Sequence, residues 1–246
     1  MLTIDINCDM GEGIGNDELL MPFISSANIA CGLHAGDEHT MKQTIEAALR
    51  YDVAIGAHPS FADRENFGRT QMNLAPEEVY TLMMDQLVTI DRIVKECNGR
   101  LHHVKPHGAL YNMSASTPQI ARTIAHAVRD FNPNLVLYGL SKSCSIIEAG
   151  AIGLRAASEV FADRTYLDDG SLSPRSQANA LIEDISQSIR QVLEIVNEKS
   201  VTSVKGKKVP VVADTICIHG DGSNAVGLCR RVYQCLKESD VRIIAP

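Results

Sequence analysis

Apolar residues recur along this chain at two spacings that take turns. Residues 3–8 alternate apolar and polar, as a half-buried strand does. Short apolar runs follow at 26–31 and 53–57, and residues 101–106 read as a strand with a polar insert. Residues 135–139, 154–160 and 211–218 complete seven strands, and 241–244 suit a short last one. Helical periodicity fills the gaps. Met41, Ile45, Ala48 and Leu49 follow Asp37, a good N-cap residue. Val79, Met83, Leu87, Ile90, Val94 and Cys97 form a second stripe, opened by Pro76 with Glu77 and Glu78 in the first turn. Ile120, Ile124 and Val128 follow Thr117-Pro118. Further stripes run Ile182, Ile185, Ile189, Val192, Val196 and then Val226, Cys229, Val232, Leu236.

Strand–helix alternation throughout predicts a mainly parallel sheet covered by helices. Seven or eight strands in an α/β chain of 246 residues suit a (β/α) barrel, formed as a single domain over 1–246. The rival, a doubly wound open sheet, would carry G-x-G-x-x-G after the first strand, and none is there. Residues 197–208 are polar and basic and read as an exposed loop.

Composition narrows the function. The hydrophobic share of 45% and charged share of 22% are those of a globular protein. The net charge is −7 without a basic cluster, which argues against nucleic acid as a partner. Seven cysteines at irregular spacing make neither a disulfide framework nor a zinc framework. Reduced thiols in a cytoplasmic protein are expected. The start, MLTIDINCD, has no basic n-region, so a signal peptide is not expected. No stretch approaches ~20 apolar residues, so no membrane span is expected either.

The chemistry gathers at strand ends. Asp9 follows the first strand, His34 the second and His58 the third; Lys105 and His107 end the fourth. Glu159 and Asp163 flank the end of the sixth, His219 and Asp221 the end of the seventh. In a parallel barrel those ends share one face, which holds the active site. Any one of these residues alone is explained equally well as a cap or turn former. Caps do not call for histidine four times, so the group is read as a functional ring. Arg69 after Phe67-Gly68 and Arg175 after Ser173-Pro174 are candidates to fork a carboxylate or phosphate, against the commoner fate of a surface arginine. Tyr111 and Tyr166 are placed to donate hydrogen bonds from the rim, or to pack there. His102 and His103 are adjacent, so at most one faces the barrel interior. No G-x-S-x-G, H-E-x-x-H or P-loop pattern occurs, and no metal ligand set is assigned.

Eight motifs, in order, carry a resemblance: N-C-D-M-G-E-G at 7–13, S-A-N-I-A-C-G-L-H-A-G-D at 26–37, G-A-H-P-S at 56–60, F-G-R at 67–69, K-P-H-G-A-L-Y-N at 105–112, E-V-F-A-D-R-x-Y at 159–166, S-P-R at 173–175 and D-T-I-C-I-H-G-D at 214–221. Together they resemble the lactam-utilisation protein family, whose members are known as the A component of 5-oxoprolinase. Leu33, Asn66 and the Gly222-Ser223-Asn224 turn depart from the family's usual residues without removing a charged candidate. The resemblance implies a distorted barrel related to the polysaccharide-deacetylase type. It implies ATP-dependent opening of 5-oxo-L-proline to L-glutamate, with two partner subunits, B and C. Catalytic roles are then expected for Asp9, His34, His58, Lys105, His107, Glu159 and His219. Substrate contacts are expected for Asn7, Glu12, Arg69, Tyr111, Asp163, Arg175 and Asp221. Two rivals stand beside this reading. One is a metal-dependent amide or ester hydrolase with a divalent cation on Asp9, His34 and His58. The other is a non-catalytic component that only binds a lactam or sugar.

Overall fold

The expected alternation closes on itself. A computed structural model of the chain describes residues 2–220, 222 and 224–246. In chain order the elements are β1 (Thr3–Met10), the single turn α1 (Asp17–Leu20), a 3-10 turn (Met21–Phe23), β2 (Ser26–Ala30), α2 (Glu38–Arg50) and β3 (Ala54–His58). Then come α3 (Pro76–Glu96), β4 (Leu101–Val104), α4 (Gly108–Ser116), α5 (Pro118–Phe131), β5 (Val136–Leu140), α6 (Cys144–Ala151) and β6 (Ala156–Phe161). The last are α7 (Ile185–Glu198), β7 (Ser200–Thr202), β8 (Lys208–Pro210), β9 (Thr215–His219), α8 (Ala225–Glu238) and β10 (Arg242–Ile243).

The strands run β1-β2-β3-β4-β5-β6-β9, every neighbour parallel, and β9 returns to β1. The result is a seven-strand parallel barrel. The eighth strand, β10, stays outside the ring. Its Arg242 and Ile244 N–H groups donate to the Leu2 and Ile4 carbonyls, on the edge of β1 that β2 occupies one step higher, where Ser25 N–H donates to Ile6. Ile4, Ile6, Cys8 and Met10 of β1 are buried with the apolar faces of the helices. Asp5, Asn7 and Asp9, on the opposite side of the pleat, turn inward. Among the described residues no helix is long and apolar enough to cross a membrane.

Local chemistry sets the helix starts. Asp37 accepts from Thr40 N–H at 2.8 Å and caps α2. Glu78 accepts from Ala75 N–H at 2.7 Å at the head of α3. Asp184 caps α7 through Ser186 N–H at 3.0 Å, so Ile182 lies before the helix rather than on its stripe. Residues 197–208 are not a plain loop. They hold β7 and lead into β8, an antiparallel hairpin turned at Gly206, because Val201 and Val209 alternate inward among lysines and threonines. Two short helices, α4 and α6, lie where no stripe was expected; α4 buries Ala109, Leu110, Tyr111 and Ser114, which carry little amphipathic signal.

One close approach fixes the middle of the barrel. A Cβ on Gly56 of β3 would overlap the His103 ring. That ring cannot yield easily, since it stacks on Tyr138 with centroids 4.2 Å apart and donates to Asn28 Oδ1 at 2.8 Å. Gly56→Ala is expected to cost about 1–3 kcal/mol, the usual range for overpacking a core. The urea midpoint of the purified variant measures it; an unchanged midpoint would show that the ring has room to move.

Candidate functional site

A column of polar side chains fills the barrel from floor to rim. At the floor, Asp5 is fully buried and accepts from Ser25 Oγ (2.5 Å), Ser26 Oγ (2.9 Å) and Thr215 Oγ1 (2.6 Å). Burial outweighs those bonds and pushes its carboxyl up to about 6. In the unfolded chain the same group titrates near ~4. The folded state therefore holds the extra proton between those values. The stability this group contributes is fully present below about pH 4 and is lost as pH rises through about 6. Asp5→Asn keeps the shape and removes the titration. Its denaturation midpoint should gain on the parent's as pH goes from 4 to 7, whereas parallel profiles would refute the assignment.

Above the floor, Asn7 and Asn28 act as splices. Asn7 Nδ2 donates to Glu159 Oε1 (2.9 Å) and Thr215 Oγ1 (2.6 Å), and its Oδ1 accepts from Asn28 Nδ2 (2.7 Å). Asn28 Nδ2 also reaches Asp9 Oδ1 (2.8 Å). Lys105 stands at the centre. Its Nζ lies 2.8 Å from Asp9 Oδ1, 2.9 Å from Glu159 Oε1, 3.2 Å from Asn7 Oδ1 and 3.1 Å from Cys217 Sγ. Burial works against its charge, but Asp9, Cys217 and Glu159 hold the ammonium well above the ordinary lysine range. Burial likewise raises Asp9, and His58 with Lys105 outweighs it, holding that carboxyl well below the usual range. A charged lysine thus sits between two carboxylates in a dry interior. Among the described residues, Glu159 Oε2 and Tyr111 Oη are both buried without a hydrogen bond of good geometry, and the two side chains are neighbours.

At the rim three imidazoles meet. His58 Nδ1–H donates to the Lys105 carbonyl (2.7 Å), and His107 Nε2–H donates to the Phe67 carbonyl (2.9 Å). His34 Nδ1–H is received by Ser60 Oγ (2.8 Å), whose own hydrogen goes to the Phe61 carbonyl (2.9 Å). Each ring therefore turns its other nitrogen toward the same point. His58 Nε2 and His107 Nδ1 are 2.9 Å apart; His34 Nε2 and Glu12 Oε1 are 3.2 Å apart; His107 Nδ1 is 3.6 Å from Glu12 Oε1; and His58 Nε2 is 3.4 Å from Asp9 Oδ2. Burial, with His58 as neighbour, pushes His34 down to about 3 and His107 well below its ordinary value. His34 and His107, held neutral, turn lone pairs toward this point. A proton on His58 would relieve the contact with His107 but not the one between His34 and Glu12. A single cation at the centre relieves both.

The donor set fits one. Glu12, His34, His58 and His107 offer one atom each, all within 4.8 Å of one another. Nitrogen and oxygen donors around a divalent ion at ~2.0–2.2 Å stand roughly 3–3.5 Å apart. Fixing the far nitrogen of each ring to a carbonyl or hydroxyl is the usual outer support of such sites. This set keeps the His34 and His58 that the sequence suggests and has Glu12 and His107 in place of Asp9. Its four members come from the ends of four different strands or the loops that follow them, which no H-x-x-x-H pattern could have announced.

Opposite, Asp163 Oδ2 accepts from His219 N–H (2.9 Å), and His219 Nδ1–H points to Asp163 Oδ1 (3.0 Å). Burial raises the Asp163 carboxyl, yet His219 overrides it and keeps it ionised. This fixes the ring's orientation and turns His219 Nε2 away from Asp163. His219 also stacks on Phe161 at 5.6 Å. Asp9, His58, Lys105, His107, Tyr111 and His219 line one cavity of about 700 Å³, which Glu12, Arg69 and Arg175 also border. Arg69 lies over Phe67, its guanidinium carbon 4.9 Å from the ring centroid. Tyr166 is internal rather than on the rim, and its hydroxyl oxygen accepts from Phe161 N–H at 2.7 Å. Asp221 lies outside the described residues. His34, Glu159, Asp163 and Asn7 support the lining from behind. Gly68 holds the rim together: at φ +68 a Cβ there would stand 2.9 Å from His107 Cδ2 and 3.0 Å from His34 Cβ. Gly68→Ala should displace both rings and, with left-handed strain of ~1–2 kcal/mol, lower the urea midpoint. Unshifted histidine ring resonances in that variant would contradict it.

Kinship is decided by the reach of one match: residues 4–246 fit the LamB/YcsF family. The chain belongs to the LamB/YcsF family. Family relatives include a Bacillus cereus (strain Q1) protein named as the A component of 5-oxoprolinase, 49% identical over 100% of both chains. The crystal structure of the lactam utilization protein of Thermus thermophilus superposes with a TM-score of 0.92 at 39% identity, over 100% of both chains. A family 4 carbohydrate esterase of Streptomyces lividans superposes at TM-score 0.51 and 10% identity, over 98% of this chain and 91% of that one, which shows a shared fold alone.

Sequence pattern does not single out Asn28, Ser60, His103 or Cys217 as site builders. Asn28 had a signal: it is the one amide in the otherwise small and apolar run at 26–31. Ser60 and Cys217 had none, because a serine after proline and a cysteine in an apolar strand both pass as packing.

Proposed function

We propose that this chain is the A component of a multi-subunit 5-oxoprolinase, opening 5-oxo-L-proline to L-glutamate at the expense of ATP, together with subunits B and C in the cytoplasm. The observation that carries the reading is the charged Lys105 between Asp9 and Glu159, beside the Asp163–His219 pair, in a chain so similar to proteins of that name. A five-membered lactam resists water because amide resonance weakens its carbonyl. Transfer of the ATP γ-phosphoryl group to the carbonyl oxygen, with ADP leaving, makes that carbon electrophilic. His219 Nε2 takes a proton from water as its oxygen bonds to the carbon. The ring C–N bond then breaks, and the nitrogen leaves as an amine after taking a proton. A second water cleaves the resulting acyl phosphate to glutamate and phosphate. Lys105 steadies negative charge on the oxygen, and Tyr111 Oη with Glu159 Oε2 supplies the open hydrogen-bonding groups beside it. Consumption of 5-oxoproline should require ATP and all three subunits. Full activity with this chain omitted would sink the proposal.

A divalent cation on Glu12, His34, His58 and His107 is the second element of the reading, supported by the converging lone pairs. Such an ion would supply Lewis-acid polarisation of an oxygen or a more acidic bound water. The same cation serves the rival of a metal-dependent hydrolase, which predicts amide cleavage without ATP. Omitting ATP from the assay separates the two.

A further inference from the structure

The cavity is larger than a small lactam requires; about 700 Å³ lies in the range of pockets that hold drug-sized ligands. Its far wall has a character of its own. Strands β5 and β6 are neighbours in the barrel, and the loops after them meet there. The first loop brings Lys142 and Ser143, and the second Arg164 and Arg175, all bordering the cavity. Ser143 is the N-cap of α6, yet its hydroxyl makes no capping bond. Among the described residues that hydroxyl has no partner, and it is buried on a residue only 9% exposed. A serine at this position normally spends its oxygen on the first-turn N–H groups. Here both the hydroxyl and the positive end of the helix are left over.

Arg164 adds fixed charge. It is 5% exposed and donates to two neutral carbonyls, Ser173 (2.6 Å) and Ala180 (3.3 Å). These bonds tie down the segment that carries Arg175. Burial and the Arg175 charge beside it pull the Arg164 guanidinium down to about 10. Among the described residues, neither arginine nor Lys142 forms an ion pair. Of the nearby carboxylates, Asp163 is held by His219 (3.0 Å) and Asp169 is turned onto the Ser171 N–H (2.9 Å) and Oγ (2.6 Å). Two guanidiniums and an ammonium border this wall with an unpartnered hydroxyl beside them, and the one carboxylate whose charge reaches Arg164, Asp163, is spent on His219, which together describe a place kept for an oxyanion.

We propose that the wall formed by Ser143, Arg164 and Arg175 is a phosphate-binding subsite, distinct from the histidine end of the same cavity. Phosphate fits it better than a carboxylate does, because donors approach from two loops and a tetrahedral dianion can accept from both. Its assignment to the phosphoryl group of the reaction rests on the function proposed above; the subsite itself does not. Binding of inorganic phosphate to the isolated full-length chain, followed by phosphorus NMR or calorimetry, tests it. Saturable binding is expected, weakened about 10-fold or more in each of Arg175→Ala and Ser143→Ala. Arg175 is exposed, so its variant keeps the fold even if the buried Ser143 is less tolerant. Absence of saturable binding, or equal binding in parent and Arg175→Ala, overturns the subsite. So does a loss confined to 5-oxoproline or glutamate, which would make the wall a carboxylate clamp. Phosphate binding that persists while the three-subunit assay shows no ring opening would refute the function and leave the subsite standing.

Discussion

Lys105→Met lowers 5-oxoproline turnover by at least ~100-fold, the loss typical of removing a positioned charge or proton-transfer group. The same substitution destabilises the fold. In the parent, the ammonium lies 2.8 Å from Asp9 and 2.9 Å from Glu159, each of them less than one-tenth exposed. Methionine fills the volume but leaves two carboxylates facing one another in a dry interior. Removing one partner of a buried ion pair costs about 3–5 kcal/mol. The penalty depends on pH in a predictable sense. With Lys105 gone, burial at Asp9 is opposed chiefly by His58, and its folded-state carboxyl rises relative to the parent. The stability that the ionised carboxyl contributes as pH rises is then smaller than in the parent, where Asp9 is held low and protonation is destabilising. Urea midpoints at pH 5 and pH 7 read both effects. The gap between parent and variant should widen toward pH 7. A gap that closes toward pH 7, or a folded variant with near-normal turnover, would remove Lys105 from the centre of the site.

The position of that lysine was legible, because strand ends in a parallel barrel share one face. Asp9, His58, Lys105, Glu159 and His219 each close a run of apolar residues, and β1 and β9 set Asp9 directly beside His219. What joins them was not legible. Asn7 and Asn28 meet through a lateral register that no local pattern encodes, and β2 as a run could be read only as apolar. His103 illustrates the limit from the other side. Alternation allowed at most one of the two adjacent histidines to face inward, and His103 does, but only the packing against Gly56 and Tyr138 shows why a ring fits there. The hairpin of β7 and β8 escaped for a further reason. Lysine, serine and threonine dominate 197–208, so two inward valines carried too little weight against the polar average. The helices α4 and α6 begin at loops that line the cavity, where residues are chosen for the cavity and not for a stripe. Pattern was weakest where the chain is committed to the site.

His107→Ala should abolish tight cation binding and turnover together. Its Nδ1 stands 2.9 Å from His58 Nε2 and 3.6 Å from Glu12 Oε1, so one truncation opens two sides of the donor set. Loss of a supporting group outside a metal site already costs 10–100-fold in affinity; loss of a ligand should cost at least ~100-fold. The parent, saturated with cobalt(II) at neutral pH, should show the absorption of a nitrogen-rich site at about one ion per chain, and His107→Ala should not. Acid should release the ion, because protons compete for His58, His34 and His107 once the cation no longer holds their lone pairs. His34 and His107 are poor bases here, so release should come below the ordinary histidine range rather than near ~6.5. A parent that takes up no cobalt, with ring nitrogens showing a proton shared between His58 and His107, would replace the cation by an imidazolium. His34 and Glu12 would then need a second proton, since their 3.2 Å contact has no donor while Ser60 holds the other His34 hydrogen. Two protons in a pocket where burial keeps His34 and His107 neutral are harder to keep than one divalent ion, and on that difference the cation reading stands.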